Sequence, residues 1–382
     1  MDFESLFDIP IDDLHTPCYL TDARLLQKNT ALLKQIQQRT GCKILLAQKA
    51  FSMFSAYPLI RDDLAGTTAS GLFEAKLGRE HFGKEVHVFS PAYTQEDFTQ
   101  LLELCDHIVF NSFGQWKKYR QQVQDATRNI SCGIRINPGY AEVKTDLYNP
   151  CISGSRMGVP LEQMEDDFAG MDGIHFHTMC EQNSDVLERT LDHMLPQFDK
   201  WLKRCKWVNF GGGHHITRPD YDVERLVRCI ERVRDTYDVQ VYLEPGEAVA
   251  LNAGYLVATV LDVVHNGMDI AILDASAACH MPDVLEMPYR PHILYSGTAG
   301  EKAYTYRLAG NTCLAGDVIG DYSFDHQLQS GEKLVFCDMA IYSMVKNNTF
   351  NGVPLPDIAL YQNGHIDLVK RFGYADFEGR LS

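Results

Sequence analysis

The sequence of 382 residues contains no apolar run approaching the roughly 18 residues that a membrane-spanning helix needs. A helical membrane protein is therefore not expected. The first ten residues, Met1 to Pro10, are acidic and have no basic segment leading into an apolar core, so a secretory signal is not expected either. Positive charge is scarce: 35 Lys and Arg stand against 51 Asp and Glu, a formal net charge of −16. That balance argues against nucleic acid as a partner and suits a cationic small molecule. Cysteine pairing is absent too. The 11 cysteines are odd in number, scattered, and include no Cys-x-x-Cys. They read as reduced thiols of a cytoplasmic protein rather than as a disulfide framework or a zinc site. There is no internal repeat, low-complexity tract or Pro/Ser linker. What remains is an ordinary globular composition, 45% apolar and 23% charged, long enough for two domains or for one barrel with an accessory domain.

Thr16–Leu20 reads as a strand, and Asp22 as the cap of a helix running to about Thr40. Strands and helices then alternate. The candidate strands are Lys43–Ala47, Gly66–Thr68, Val86–Phe89, His107–Phe110, Cys132–Ile136, Gly173–His177, Trp207–Phe210 and Val239–Glu244. Helical stretches between them include Gly71–Phe82, Thr94–Cys105, Val186–Cys205 and Val223–Tyr237. Eight strands in alternation predict an α/β fold, a (β/α)8 TIM-type barrel over residues 25–252, with a doubly wound open sheet as the alternative. From about Ala253 the texture becomes mostly β. The runs around Tyr255–Val264, Ile270–Leu273, Tyr304–Leu308, Lys333–Phe336 and Ile358–Tyr361 predict a second domain of β-sandwich or β-barrel type, formed by residues 1–24 and 253–382. Asn137–Pro160 is a long connection with no helical period, and such loops tend to be functional.

Four candidate strands end in chemistry. Lys49 follows the first, and a desolvated lysine at the mouth of a barrel can act as a nucleophile. The same residue could simply reach solvent. His175 and His177 alternate along the sixth strand, so one of them should face the barrel. Gly211, Gly212 and Gly213 follow the seventh, where glycine lets backbone N–H groups approach an anion; a sharp loop would need glycine equally. Glu244 closes the eighth. An amine, an anion cradle, a flat imidazole and a carboxylate at one barrel face are the parts that hold pyridoxal 5'-phosphate. In that role Lys49 forms the Schiff base, the glycines hold the phosphate, His177 stacks on the ring and Glu244 keeps the pyridine nitrogen protonated. A metal centre built from His175, His177, His214 and His215 is the competing view. Adjacent His214 and His215 point apart in an extended segment, so no metal is expected.

With these residues in view, the chain resembles the alanine-racemase-like (fold type III) pyridoxal-phosphate decarboxylases over nearly its whole length. Arg135-Ile136-Asn137-Pro138 is similar to that family's Arg-x-Asn-Pro strand, and Ser155-Arg156-Met157-Gly158 to its Ser-Lys-Phe-Gly turn. Gly310-Asn311-Thr312-Cys313 resembles the Gly-Pro-x-Cys segment with the catalytic cysteine. Tyr342, followed by Phe350-Asn351-Gly352, resembles the tyrosine that contacts the cofactor phosphate. The resemblance implies that Cys313 protonates the substrate carbon after CO2 leaves. It also implies a homodimer with shared active sites, each Cys313 serving the other subunit, and a pairing of Arg156 with Asp317 across the interface.

The departures narrow the substrate. Glu247 stands where the family has a phosphate-binding arginine, and Leu314 where ornithine and diaminopimelate enzymes carry an acid. Together with the run from Leu273 to Pro291, these features look like the branch that acts on carboxynorspermidine and carboxyspermidine. Such substrates carry cationic nitrogens distant from the reacting carbon, which pocket carboxylates can neutralise. Asp274, His280, Asp283 and Glu247 are the candidate substrate-binding residues, with Glu181 a further carboxylate. Asp283 and Glu286 could equally belong to a salt-bridged loop.

Overall fold

A computed structural model describes residue 4 and residues 7–382. Residues 1–3, 5 and 6, which belong to the stretch inspected for a secretory signal and to the segment assigned to the second domain, lie outside the described residues. Among the described residues no helix is long and apolar enough to cross a membrane. The chain forms two compact units, one of Gln27–Val249 and one of Met1–Leu26 with Ala250–Ser382.

In chain order the first ten strands are β1 (Cys18–Asp22), β2 (Lys43–Ala47), β3 (Gly66–Ala69), β4 (Glu85–Phe89), β5 (His107–Phe110), β6 (Ser131–Asn137), β7 (Val159–Pro160), β8 (Gly173–His175), β9 (Trp207–Asn209) and β10 (Gln240–Leu243). In the Gln27–Val249 unit they run β5-β4-β3-β2-β10-β9-β8-β6, and β6 pairs back onto β5. Every one of these ladders is parallel. The ring is a closed eight-stranded barrel, with the short β7 appended to β6. The ladder placing Ile108 opposite Cys132 and Phe110 opposite Ile134 rules out the open doubly wound sheet.

The strand sequences suit this closure, because both faces of a parallel barrel strand are covered and apolar runs such as Ile44-Leu45-Leu46 are fully buried. Part of the interior is filled by Leu45, Val109, Trp207 and Tyr242. The Trp207 indole fits because the neighbouring strands carry Gly133 and Gly173. A Cβ on either glycine would lie 2.2 Å or 2.1 Å from that ring. The indole N–H donates to Ser131 Oγ at 2.8 Å.

The helix Val223–Tyr237 falls where the apolar period puts it, capped by Asp222, whose side chain accepts the Arg225 N–H at 2.9 Å. Two differences matter for the site. Strands β8 and β10 stop earlier than expected, at His175 and Leu243, so His177 and Glu244 lie on the loops beyond them. The stretch Gly71–Phe82 divides into an α-helix, Leu72–Leu77, and a wider π turn, Gly78–Phe82.

The other unit holds β1 together with β11 (Gly254–His265), β12 (Asp269–Leu273), β13 (Gly297–Thr298), β14 (Tyr304–Ala309), β15 (Val318–Phe324), β16 (Lys333–Cys337), β17 (Asp357–Gln362) and β18 (His365–Lys370). The order is β13-β15-β14-β12-β11-β1-β17-β18, with β16 pairing β11. Pairings are antiparallel except β1 with β17 and β12 with β14. Cys18, Leu20, Tyr255, Val257, Val335 and Ala359 form its core.

Candidate active site

The chain leaves β2 at Ala47 and turns, the Ala50 N–H returning to the Ala47 carbonyl at 3.1 Å. Within the turn Gln48 is buried, donating to the Glu74 carbonyl and accepting from the Tyr57 hydroxyl at 3.0 Å. Anchoring Gln48 leaves Lys49 exposed. Among the described residues its amine has no hydrogen bond and no ion pair. The surrounding barrel desolvates the amine and Arg135 repels its charge, so its pKa is lowered although Glu244 and Glu74 oppose the shift. An accessible lysine held towards its neutral form is a ready nucleophile.

The turn after β9 is glycine by steric necessity. Gly211 and Gly213 have φ of +69° and +82°, and a Cβ on them would lie 2.5 Å from the Phe176 carbonyl oxygen and 2.0 Å from that of Met179. A Cβ on Gly212 would come within 3.2 Å of the His177 ring. The two readings of the glycines are compatible. The loop requires them, and it leaves the backbone N–H groups of Gly212, Gly213 and His214 without a hydrogen-bond partner among the described residues. Three consecutive free amides are a fitting cradle for a phosphate.

Glu244 sits at the adjacent strand end. Its own N–H donates to the Gly211 carbonyl at 2.8 Å. One carboxylate oxygen accepts from Asn209 Nδ2 at 2.8 Å and the other lies 3.2 Å from His175 Nε2. Burial alone would raise its pKa, but His175 and Asn209 outweigh that and hold it down at about 2. His175 is thus the strand histidine that faces the barrel interior. His177 lies past the strand, where alternation no longer applies, and burial with nearby Lys49 and Arg135 keeps its ring neutral. Arg135 is buried at the end of β6, donates to the His177 carbonyl at 3.2 Å and lies 4.6 Å from the centre of the Phe89 ring. Glu247 is 3.5 Å from His215; burial lowers the His215 pKa, but Glu247 outweighs this and raises it. Lys49, His177, Gly211, Gly212, Gly213, Glu244 and Glu247 thus come together at one end of the barrel. Asn209, His175 and Arg135 complete the set; the sequence offered His175 as one of two candidates to face the barrel and gave Asn209 and Arg135 no role there. A polar Asn in the apolar run Trp207-Val208-Asn209-Phe210 was the available signal.

The remaining candidates lie in the sheet unit. Cys313 is exposed, and its N–H donates to Asn351 Oδ1 at 2.8 Å, which joins the Gly310–Cys313 turn to the Phe350–Gly352 turn. Tyr342 is half-buried with φ 54°. The candidate substrate-binding residues of this unit all have partners within it. Asp274 accepts the Thr259 N–H at 2.7 Å and the Thr16 hydroxyl at 2.6 Å, so its carboxylate is engaged locally. His280 is fully buried: Nδ1 accepts the Ser276 N–H at 3.1 Å and Nε2 lies 3.1 Å from the Pro354 carbonyl, leaving no ring nitrogen for a substrate. Asp283 is ion-paired with Lys346, as is Glu286 at 2.9 Å. Asp317 is buried and accepts from Ser276, Thr312 and the Ala278 N–H.

A closed parallel barrel joined to a separate sheet unit, with a free lysine and an amide cradle at one barrel end, defines a cofactor-dependent enzyme scaffold. The family model described as pyridoxal-dependent decarboxylase, C-terminal sheet domain, matches residues 18–340. The chain belongs to the pyridoxal-dependent decarboxylases.

It is 41% identical over 382 residues to a carboxynorspermidine/carboxyspermidine decarboxylase of Campylobacter jejuni, covering 97% of this chain and 99% of that one. It is also 41% identical over 375 residues to a carboxyaminopropylagmatine decarboxylase of Synechocystis, covering 97% and 96%. The crystal structure of carboxynorspermidine decarboxylase complexed with norspermidine from Campylobacter jejuni superposes with a TM-score of 0.89 at 40% identity, covering 96% of this chain and 100% of that one.

Proposed function

We propose that this protein decarboxylates carboxynorspermidine and carboxyspermidine, releasing CO2 and giving norspermidine and spermidine, with pyridoxal 5'-phosphate as cofactor. The observation that carries the reading is Lys49: an accessible, unpaired, pKa-lowered amine beside Glu244 and the free amides of Gly212, Gly213 and His214. Lys49 is the amine that would hold the cofactor aldehyde, and the amides would hold its phosphate, with Tyr342 assisting. The neutral imidazole of His177 would stack on its ring. Glu244, ionised well below neutral pH, would accept from the pyridinium N–H and keep that nitrogen protonated. When bound, pyridoxal phosphate supplies the electron sink that lets the carboxylate depart as CO2. Cys313 donates the proton that replaces it on the substrate carbon, and each Cys313 serves the second copy of a cytoplasmic homodimer with shared sites. Glu247 and Glu181, both of which act electrostatically on Cys180, are the carboxylates we assign to the distal ammonium groups. The net charge of −16 draws a polycation towards them.

A second reading is favoured by the equal identity to the Synechocystis relative: a carboxylated triamine ending in a guanidinium, as in carboxyaminopropylagmatine. CO2 release measured with carboxynorspermidine, carboxyspermidine, carboxyaminopropylagmatine and meso-diaminopimelate decides between them. We expect the first two to have the highest kcat/KM. Preference for the guanidino substrate selects the second reading, and release from meso-diaminopimelate alone refutes both.

A further inference from the structure

We infer that Asn209 is a positioning residue that locks the glycine turn and the Glu244 carboxylate into one rigid unit, so that phosphate and pyridine nitrogen are gripped at a fixed separation. This rests on the cofactor reading above and deepens it. Asn209 ends β9 and is inaccessible to solvent. Its Oδ1 accepts the Gly211 N–H at 2.9 Å, and its Nδ2 donates to Glu244 Oε1 at 2.8 Å. The Gly211 carbonyl in turn accepts the Glu244 N–H at 2.8 Å. The three residues close a circuit of hydrogen bonds.

The orientation of the carboxamide is dictated at both ends. A backbone N–H can only donate and an ionised carboxylate can only accept, so the oxygen must face Gly211 and the NH2 must face Glu244. Aspartate would serve the glycine but oppose the carboxylate, and leucine would serve neither. The circuit also terminates where ligand groups are expected. Immediately beyond Gly211 come the three unpartnered amides, and the second Glu244 oxygen is steadied separately by His175. A residue that only closed the turn would need the Gly211 contact alone. The second hydrogen bond couples one pole of the cofactor site to the other.

Asn209→Asp separates the two contacts, because it keeps the acceptor for Gly211 and sets a second carboxylate against Glu244. Asn209→Ala removes both. The full-length protein freed of cofactor is titrated with pyridoxal phosphate, followed by fluorescence, and separately with inorganic phosphate; kcat and KM are measured after reloading. We expect Asn209→Asp to hold inorganic phosphate within about twofold of wild type while losing at least tenfold in pyridoxal phosphate affinity. Its kcat should fall with KM little changed. Asn209→Ala should lose affinity for both ligands. The inference is overturned if Asn209→Asp binds pyridoxal phosphate and turns over within twofold of wild type, or if it loses phosphate and pyridoxal phosphate affinity in equal proportion. Should Asn209→Ala fail to fold, the Asn209→Asp arm decides alone. A folded wild-type chain that binds no pyridoxal phosphate overturns the parent reading, and this inference with it.

Discussion

Strand β2 carries a lysine at each end, and the two live in opposite chemical worlds. Lys43, at the start of the strand, is ion-paired with Glu85 and lies 3.3 Å from the Tyr242 hydroxyl. Glu85 also reaches His87 at 3.2 Å, and the His87 ring stacks on His107 with centroids 3.9 Å apart at 7°. Burial would raise the Glu85 pKa, but His87 and Lys43 outweigh it and hold it at about 2. Lys49, just beyond the other end, has no partner among the described residues. One lysine is neutralised by its surroundings and the other is left with unsatisfied chemistry. This is the division of a barrel into a face that stabilises and a face that reacts. It also bears on Glu85, His87 and His107, whose ligand atoms lie within 4.8 Å of one another as a metal site would require. Lys43 already occupies one oxygen of that carboxylate and His87 reaches the other.

The contrast can be broken most sharply by replacing each lysine in turn. Lys49→Ala should lower kcat on the order of 10³-fold or more and remove the absorbance of the bound cofactor, whereas Lys43→Ala should leave both within about threefold. Similar losses from both would mean that the two ends are not chemically distinct. A smaller effect is expected from Glu85→Gln. Lys43 and Glu85 have side-chain exposures of 38% and 28%, so solvent screens the pair and the released ammonium can turn outward. The expected cost is about 1–2 kcal/mol, read as a lower denaturation midpoint with cofactor binding retained. The finest distinction is in pH. Burial, with His87 adding repulsion, holds the His107 pKa down at about 2, so the unfolded imidazole takes up a proton below about pH 6.5 and the folded one does not. Stability should therefore fall as the pH drops from 6.5, and the depressed carboxyl of Glu85 should add to the loss below about 4.5. At pH 5 His107→Phe should reduce this loss by roughly 2 kcal/mol, measured by urea unfolding at pH 7 and pH 5.

The barrel could be read from the sequence because short apolar-rich strands such as Ile44-Leu45-Leu46 alternate with strongly periodic helices. The reactive end followed from position: a residue directly after such a strand has few places to point. That logic reached Lys49, the three glycines and Glu244. The partners of Asp274 and His280 were not legible, because they are set by folding. Thr16 meets Asp274 from a distant part of the chain, and Pro354 meets His280 in the same way. Strand β18 was missed because its residues are largely exposed and show no alternation, and β15 because Gly320 and Asp321 interrupt its apolar run. Asn209 was passed over because its importance lies in two bonds to residues on either side of a turn that had not yet been drawn.

The Trp207 indole occupies volume vacated by two glycines on separate strands, and this constrains how the protein can change over time. A lone substitution at Gly133 or Gly173 meets the ring at 2.2 Å or 2.1 Å, while a lone loss of the ring leaves a void that neither glycine can fill. The three positions are sterically coupled. A lineage can leave this arrangement only by simultaneous replacement or through an intermediate with a damaged barrel, so the mutational effects at these sites should be strongly non-additive.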